Sequence, residues 1–171
     1  MNVIEKNIVN NLEIELMHAL KSDFPANSTQ SKKHIGVVKK IKHTDFFKDR
    51  MMMIKVIKEG VPYSLFTVIQ SYSPFSEKDW STFLDLSTKS LSRYKLASKN
   101  FKPIHSEKII EMAEVTTIGL DVFGSIEKFK LWLNTPNFSL GSFKPIDLLT
   151  DSYGKELVVS ELTRINYGIL V

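Results

Sequence analysis

An all-α fold follows from three features of this sequence. Apolar residues recur at helical spacing in segment after segment, most of the seven glycines stand where helices would stop, and hardly any stretch alternates like a strand. The nearest approach to a strand pattern lies around Ile35–Ile41. A hydrophobic share of 43% and a charged share of 25% are those of an ordinary soluble globular protein. No apolar run approaches the roughly 18 residues that span a bilayer, and the first twenty residues put acids and asparagines where a signal peptide needs an unbroken apolar stretch. No membrane association is expected. The absence of cysteine excludes disulfides and thiolate metal sites and fits a cytoplasmic location. His18, His34, His43 and His105 form no HxxxH or HxH pair, so no metal or other cofactor is expected.

Three regions follow in order. Residues 1–45 read as an extension. Ile8, Leu12, Leu16 and Leu20 share one helical face, and Pro25, Asn27, Ser28 and Thr29 mark a break. Lys32, Lys33, Lys39, Lys40 and Lys42 then form a basic cluster, read either as a solvated face or as a phosphate-contacting arm. Residues 46–103 hold short helices. MMMIKVIKEG is a helix closed by Gly60, its methionines expected as core filler, and Pro62 opens YSLFTVIQSY. Ser76 and Asp79 make a capping box, with Phe75 and Trp80 poised as a hydrophobic staple. A tight turn at Asp85–Ser87 leads to a helix capped by Ser87, with Leu91 inward. That is the shape of a helix-turn-helix, although the turn lacks the glycine often found there. The second helix offers Thr88, Lys89, Ser90, Ser92, Arg93 and Lys95, donors of the kind that contact phosphates and base edges, so these six are the candidate DNA-binding residues.

Residues 104–171 open with the longest helical pattern, Ser106 to Phe123, with Ile109, Ile110, Ala113, Ile118 and Val122 inward. Gly124 stops it and Ser125 caps the next helix, whose stripe is Phe129, Trp132 and Leu133. The last helix keeps Leu157, Val158, Leu162 and Ile165 in register and ends at Gly168; Asp147 and Asp151 read as caps rather than as a catalytic carboxylate pair. Between the last two helices lies NTPNFSLGSFKPIDLL, a connection with two prolines and six large apolar residues. Such a segment is too stiff for a linker and too interrupted for a helix. It suits a pre-organised contact surface that loses little entropy on binding, and it would pack Trp132 and Leu133 against Leu148 and Leu149.

Charge separates the regions. Residues 1–71 carry 11 Lys+Arg against 7 Asp+Glu, residues 72–103 carry 6 against 3, and residues 104–171 carry 6 against 9. A basic part and an acidic part imply two surfaces for two different partners. No G-x-S-x-G, Walker-type loop, G-x-G-x-x-G or H-E-x-x-H occurs, so a binder without a small-molecule substrate is expected rather than an enzyme.

The run from Val122 to Val171 resembles the C-terminal toxin-binding domain of the Xre/MbcA/ParS antitoxins. The resemblance rests on Phe123 and Gly124, then Trp132, Leu133, Pro136, Asn137, Leu140 and Gly141, then Pro145, Asp147, Leu148 and Leu149, then Gly154, Arg164, Ile165 and Gly168. FSEKDWSTFLDLSTKSLSRYK is similar to the Xre-like helix-turn-helix of the same family, through Leu86, Ser87, Leu91 and Arg93. Two positions depart from the pattern. Ser142 stands where a second glycine usually follows, which could alter the turn because serine tolerates positive φ poorly, and Ser90 replaces a threonine. The resemblance covers roughly residues 50–171. It implies an antitoxin paired with a RES-domain toxin acting on NAD, and binding of operator DNA through the helix-turn-helix. A homodimer is expected because such proteins usually read paired half-sites. Leu140, Gly141, Pro145, Leu148, Arg164, Ile165, Tyr167, Gly168, Ile169, Leu170 and Val171 are the candidate toxin-binding residues, with Arg164, Tyr167 and the tail expected to plug the toxin's NAD cleft. The alternatives are a free-standing regulator without a toxin and an interaction domain whose helix-turn-helix has decayed.

Overall fold

A computed structural model describes Ile14 and residues 46–168, apart from 48 and 98. The amphipathic pattern of residues 8–20 and the basic cluster of residues 32–42 lie outside the described residues, except that Ile14 is helical. Among the described residues there are no strands, and eight α-helices and one 3₁₀ turn succeed one another. The all-α expectation holds.

Helix α1 (Arg50–Glu59) starts because the Asp49 carboxylate accepts the free N–H groups of Met51 and Met52, at 2.9 and 3.2 Å. It stops at Gly60, whose φ of +90° and close approach to the Phe101 carbonyl (an added Cβ would lie 2.3 Å from it) leave room for glycine alone. The methionines do not all fill core: Met52 and Met53 are half-buried, but Met51 is 64% exposed. Three successive residues point in three directions around a helix, so they cannot share one buried face.

Helix α2 (Tyr63–Tyr72) follows Pro62. α3 (Glu77–Phe83) begins with the full reciprocal box between Ser76 and Asp79, and the staple forms as expected, with the Phe75 and Trp80 rings 5.8 Å apart and edge to face. The turn into α4 (Thr88–Ala97) passes through Asp85 at φ +48°, an aspartate in the left-handed position where glycine is usual. The Leu86 N–H donates to the Ser81 carbonyl and the Ser81 hydroxyl to the Leu86 carbonyl, which closes the turn. Behind it Phe66 packs on Trp80 and Phe101, and Tyr94 of α4 stacks on Phe101 at 4.3 Å.

The long helix α5 (Pro103–Phe123) starts three residues earlier than its apolar pattern, because Pro103 takes the first helical position. It packs on α1, α2, α6 (Ile126–Leu133) and α8 (Ser152–Asn166). The buried Ser106 hydroxyl accepts the Val61 N–H at 2.8 Å and donates to the Phe101 carbonyl, stitching the α1–α2 connection to the start of α5. Gly119 sits flat against the buried Phe129 ring. Gly124 leaves the helix at φ +70°, and the Ser125 hydroxyl caps α6 by accepting from the Lys128 N–H. Asp151 caps α8 by accepting from the Gly154 N–H at 2.9 Å. Val158 and Leu162 of α8 are buried and Ile165 is half-buried, but Leu157 is 55% exposed. It lies one residue, about 100°, around the helix from Val158. One continuous apolar cluster runs from Phe46 to Leu162, so both halves share a core through α5.

Candidate functional site

The proline-rich connection folds into a closed platform. Asn137 accepts the Ser139 N–H on its side chain and the Leu140 and Ser142 N–H groups on its carbonyl, and its own N–H donates to the Phe143 carbonyl at 3.0 Å. The 3₁₀ turn Phe138–Leu140 ends at Gly141, φ +68°, and Ser142 follows at φ +64°. Serine thus adopts the left-handed backbone that the missing second glycine would have supplied. Leu140 is driven into the core and the buried Pro145 opens the short α7 (Pro145–Leu148), which packs on both α6 and α8. Gly154 of α8 lies directly on α7, where an added Cβ would come within 2.0 Å of the Leu148 carbonyl oxygen.

A polar clamp ties this platform to α8. Arg164 donates from Nε and Nη2 to the two carboxylate oxygens of Glu161, at 2.8 and 2.7 Å, and from Nη2 to the Ser139 hydroxyl at 2.8 Å. The guanidinium holds the Glu161 carboxyl below its ordinary 4.5, outweighing burial, and side-chain hydrogen bonds from Asn137 and Ser139 add to the effect. Glu161 in turn raises Arg164 above its ordinary range. The Arg164 charge is therefore balanced inside the chain, and only its Nη1 is left without a partner. Neither Glu161 nor Ser139 stood out in the sequence. The signal available for the first was its i,i+3 spacing from Arg164 on a helix.

Of the other candidate toxin-binding residues, Leu140 and Pro145 point inward as supports. Leu148 and Ile165 are half-buried, Gly141 and Gly168 are exposed, and Tyr167 is 76% exposed at the end of α8. Ile169, Leu170 and Val171 lie outside the described residues.

The second candidate face is on α4. Thr88, Lys89, Ser92, Arg93 and Lys95 are exposed and Ser90 is half-buried, its N–H donating to the Ser87 hydroxyl at 3.1 Å. Burial, with the Lys102 charge, pushes the His105 imidazole below its ordinary 6.5, against the opposing pull of a hydrogen bond to the Leu84 backbone and of the Asp85 charge. The His105 ring, at the start of α5, meets the Tyr94 ring of α4 edge-on at 6.5 Å. Among the described residues no His, Asp and Glu cluster could hold a metal ion and no helix is long and apolar enough to cross a membrane.

Family comparisons fall on both faces. Residues 52–114 match the antitoxin Xre-like helix-turn-helix domain, and residues 119–168 match the antitoxin Xre/MbcA/ParS C-terminal toxin-binding domain. The chain belongs to the Xre/MbcA/ParS antitoxins. Two relatives named antitoxin Xre are similar to it in sequence. The protein from Photorhabdus laumondii is 27% identical over 67% of this chain and 78% of its own length, and that from Yersinia enterocolitica is 24% identical over 69% and 80%. In three dimensions the chain is similar to a chain of the M. tuberculosis MbcT–MbcA toxin–antitoxin complex, with a TM-score of 0.53 and 20% identity over 64% of this chain and 96% of that one, which speaks for a common fold. The two family segments meet inside α5, the helix that both halves of this antitoxin pack against.

Proposed function

We propose that this antitoxin neutralises a RES-domain toxin that acts on NAD, by covering the toxin's NAD cleft with the end of α8 and the tail beyond it. The observation that carries this reading is Tyr167, exposed at the tip of α8 directly before Gly168, whose φ of +68° turns the chain out of the helix. Arg164 contributes by position: locked to Glu161 and Ser139, it fixes the angle at which that tip leaves the platform. A cleft built for an anionic dinucleotide is electropositive, and residues 104–171 carry the complementary excess of 9 acids over 6 bases. The exposed donors of α4 support repression of the antitoxin's own operon, as a homodimer on paired half-sites. The protein acts in the cytoplasm, without enzymatic activity of its own.

Co-expression with the adjacent reading frame, followed by copurification and an NAD-consumption assay, tests the reading. The neighbour is expected to copurify and to consume NAD only when this chain is absent. Deleting Gly168–Val171 should abolish inhibition while the fold still melts cooperatively, and inhibition that survives the deletion removes the plug. A neighbour that neither copurifies nor touches NAD would leave a free-standing DNA-binding regulator.

A further inference from the structure

Eight of the phenylalanines among the described residues serve the core, Phe47 and Phe123 by packing half-buried against it. Phe46, Phe66, Phe75, Phe83, Phe101 and Phe129 are all buried, whereas Phe138 is 89% exposed and Phe143 is 59% exposed. A single exposed aromatic residue on a soluble protein means little. These two lie at opposite ends of one six-residue loop, and the backbone hydrogen bonds from Asn137 to Phe143 hold that loop shut. The Phe143 ring rests over Gly141, where an added Cβ would stand 3.5 Å away, so its orientation is supported from below. Leu140, between the two, is buried in the core, and Ser139 is tied to α8 by Arg164. The rings therefore stand on a base anchored at both sides and need little ordering to bind.

We infer that Phe138 and Phe143 are a paired aromatic anchor that seats in an apolar pocket of the toxin, at a contact separate from the C-terminal tail. The inference rests on the toxin-binding reading above. The segment 119–168 that matches the family's toxin-binding domain contains the whole loop, so the anchor is continuous with that interface. The partner's chemistry follows from the loop's own. From Asn134 to Ile146 the only charged residue is Lys144, so the complementary surface is apolar rather than charged, in contrast to the electropositive cleft assigned to the tail. Rigid aromatic side chains at the centre of an interface are the residue type that carries most of its binding energy.

The test compares the full chain with its F138A/F143A and F138L/F143L variants, each mixed with the purified product of the adjacent reading frame while dissociation is followed by biolayer interferometry. Melting temperature should not change, because both rings are exposed. The alanine pair should weaken the complex at least about 100-fold, mostly through faster dissociation, and the leucine pair should restore most of the loss. A wild-type complex whose Kd moves less than threefold in the alanine pair overturns the anchor while leaving the toxin-binding reading intact. Absence of a wild-type complex overturns both. As an independent readout, the emission of a Phe138→Trp variant should shift to the blue on complex formation, and an unshifted spectrum in a formed complex also overturns the anchor.

Discussion

Gly119 sets two effects against each other, and their sizes decide the outcome. It lies inside a 21-residue helix, where replacing glycine by alanine ordinarily stabilises by about 1 kcal/mol. Yet the added Cβ would stand 2.3 to 2.5 Å from Cζ, Cε2 and Cε1 of Phe129. Restoring an ordinary contact of 3.4 Å needs the ring to retreat by about 1 Å. Phe129 has no exposed surface, and its ring stacks on Phe123 and Trp132 at 5.9 and 6.2 Å, so it has nowhere to go. Forced overpacking costs about 3 kcal/mol at the upper end of its usual range, which leaves Gly119→Ala destabilising by about 2 kcal/mol net. In a chain of this size the melting temperature should fall by roughly 6 °C, read by circular dichroism and urea titration. The decisive control is the same substitution in a Phe129→Leu background. There the clash is gone and Gly119→Ala should be neutral or stabilising, a coupling of about 2 kcal/mol. A rise in melting temperature for Gly119→Ala alone, or an equal loss in both backgrounds, would refute the packing account.

Ser142→Gly should stabilise by about 0.5 kcal/mol, the relief of a left-handed serine less the added freedom of glycine in the unfolded chain, whereas Ser142→Val should destabilise by about 2 kcal/mol; equal tolerance of the two in thermal melts would contradict the strain assigned to φ +64°. The Glu161 carboxyl is depressed by folding, so its contribution is fully present above the ordinary 4.5 and is lost as pH falls through the lower folded-state value. Glu161→Gln should therefore lower stability at pH 7 and flatten the acid limb of the stability–pH curve below 4.5, and an acid limb as steep as the wild type's would count against the clamp. Reversing the charges of Lys89, Arg93 and Lys95 should abolish retention of the chain's own promoter fragment at low salt. Retention that persists with an unchanged salt slope would move the DNA contact off α4.

What was legible in the sequence was local. The box of Ser76 and Asp79, the staple of Phe75 on Trp80, the stops at Gly60 and Gly124 and the caps at Ser87 and Ser125 each involve groups within about five residues, whose chemistry is complete in the chain itself. What was not legible needed a partner supplied by the fold. Ser106 reads as an ordinary serine until Val61, 45 positions away, donates to it. Gly119 carries no signal beyond an unexplained glycine in an apolar helix, and its reason is a ring ten residues on. Met51 reads as core filler by its hydrophobicity and Leu157 as part of an apolar register, yet both face solvent, because residues adjacent in sequence point about 100° apart around a helix. In the candidate site, the motif residues marked the platform, but Phe138 and Phe143 fall in its variable positions and only their exposure sets them apart.

α5 bears on how such chains can recombine. Its buried residues, among them Ile109, Ile110, Met112, Ala113 and Val115, pack within a single core shared by the helices before and after it. A cut at residue 103 would hand all of α5 to the C-terminal piece and strip the helix-turn-helix of its floor; a cut after residue 123 would do the reverse. Neither half can be traded as a cassette. If the proposed contacts hold, partner specificity is instead rewritten in place, by substitutions on the Asn137–Phe143 loop and along α4, while α5 is kept whole.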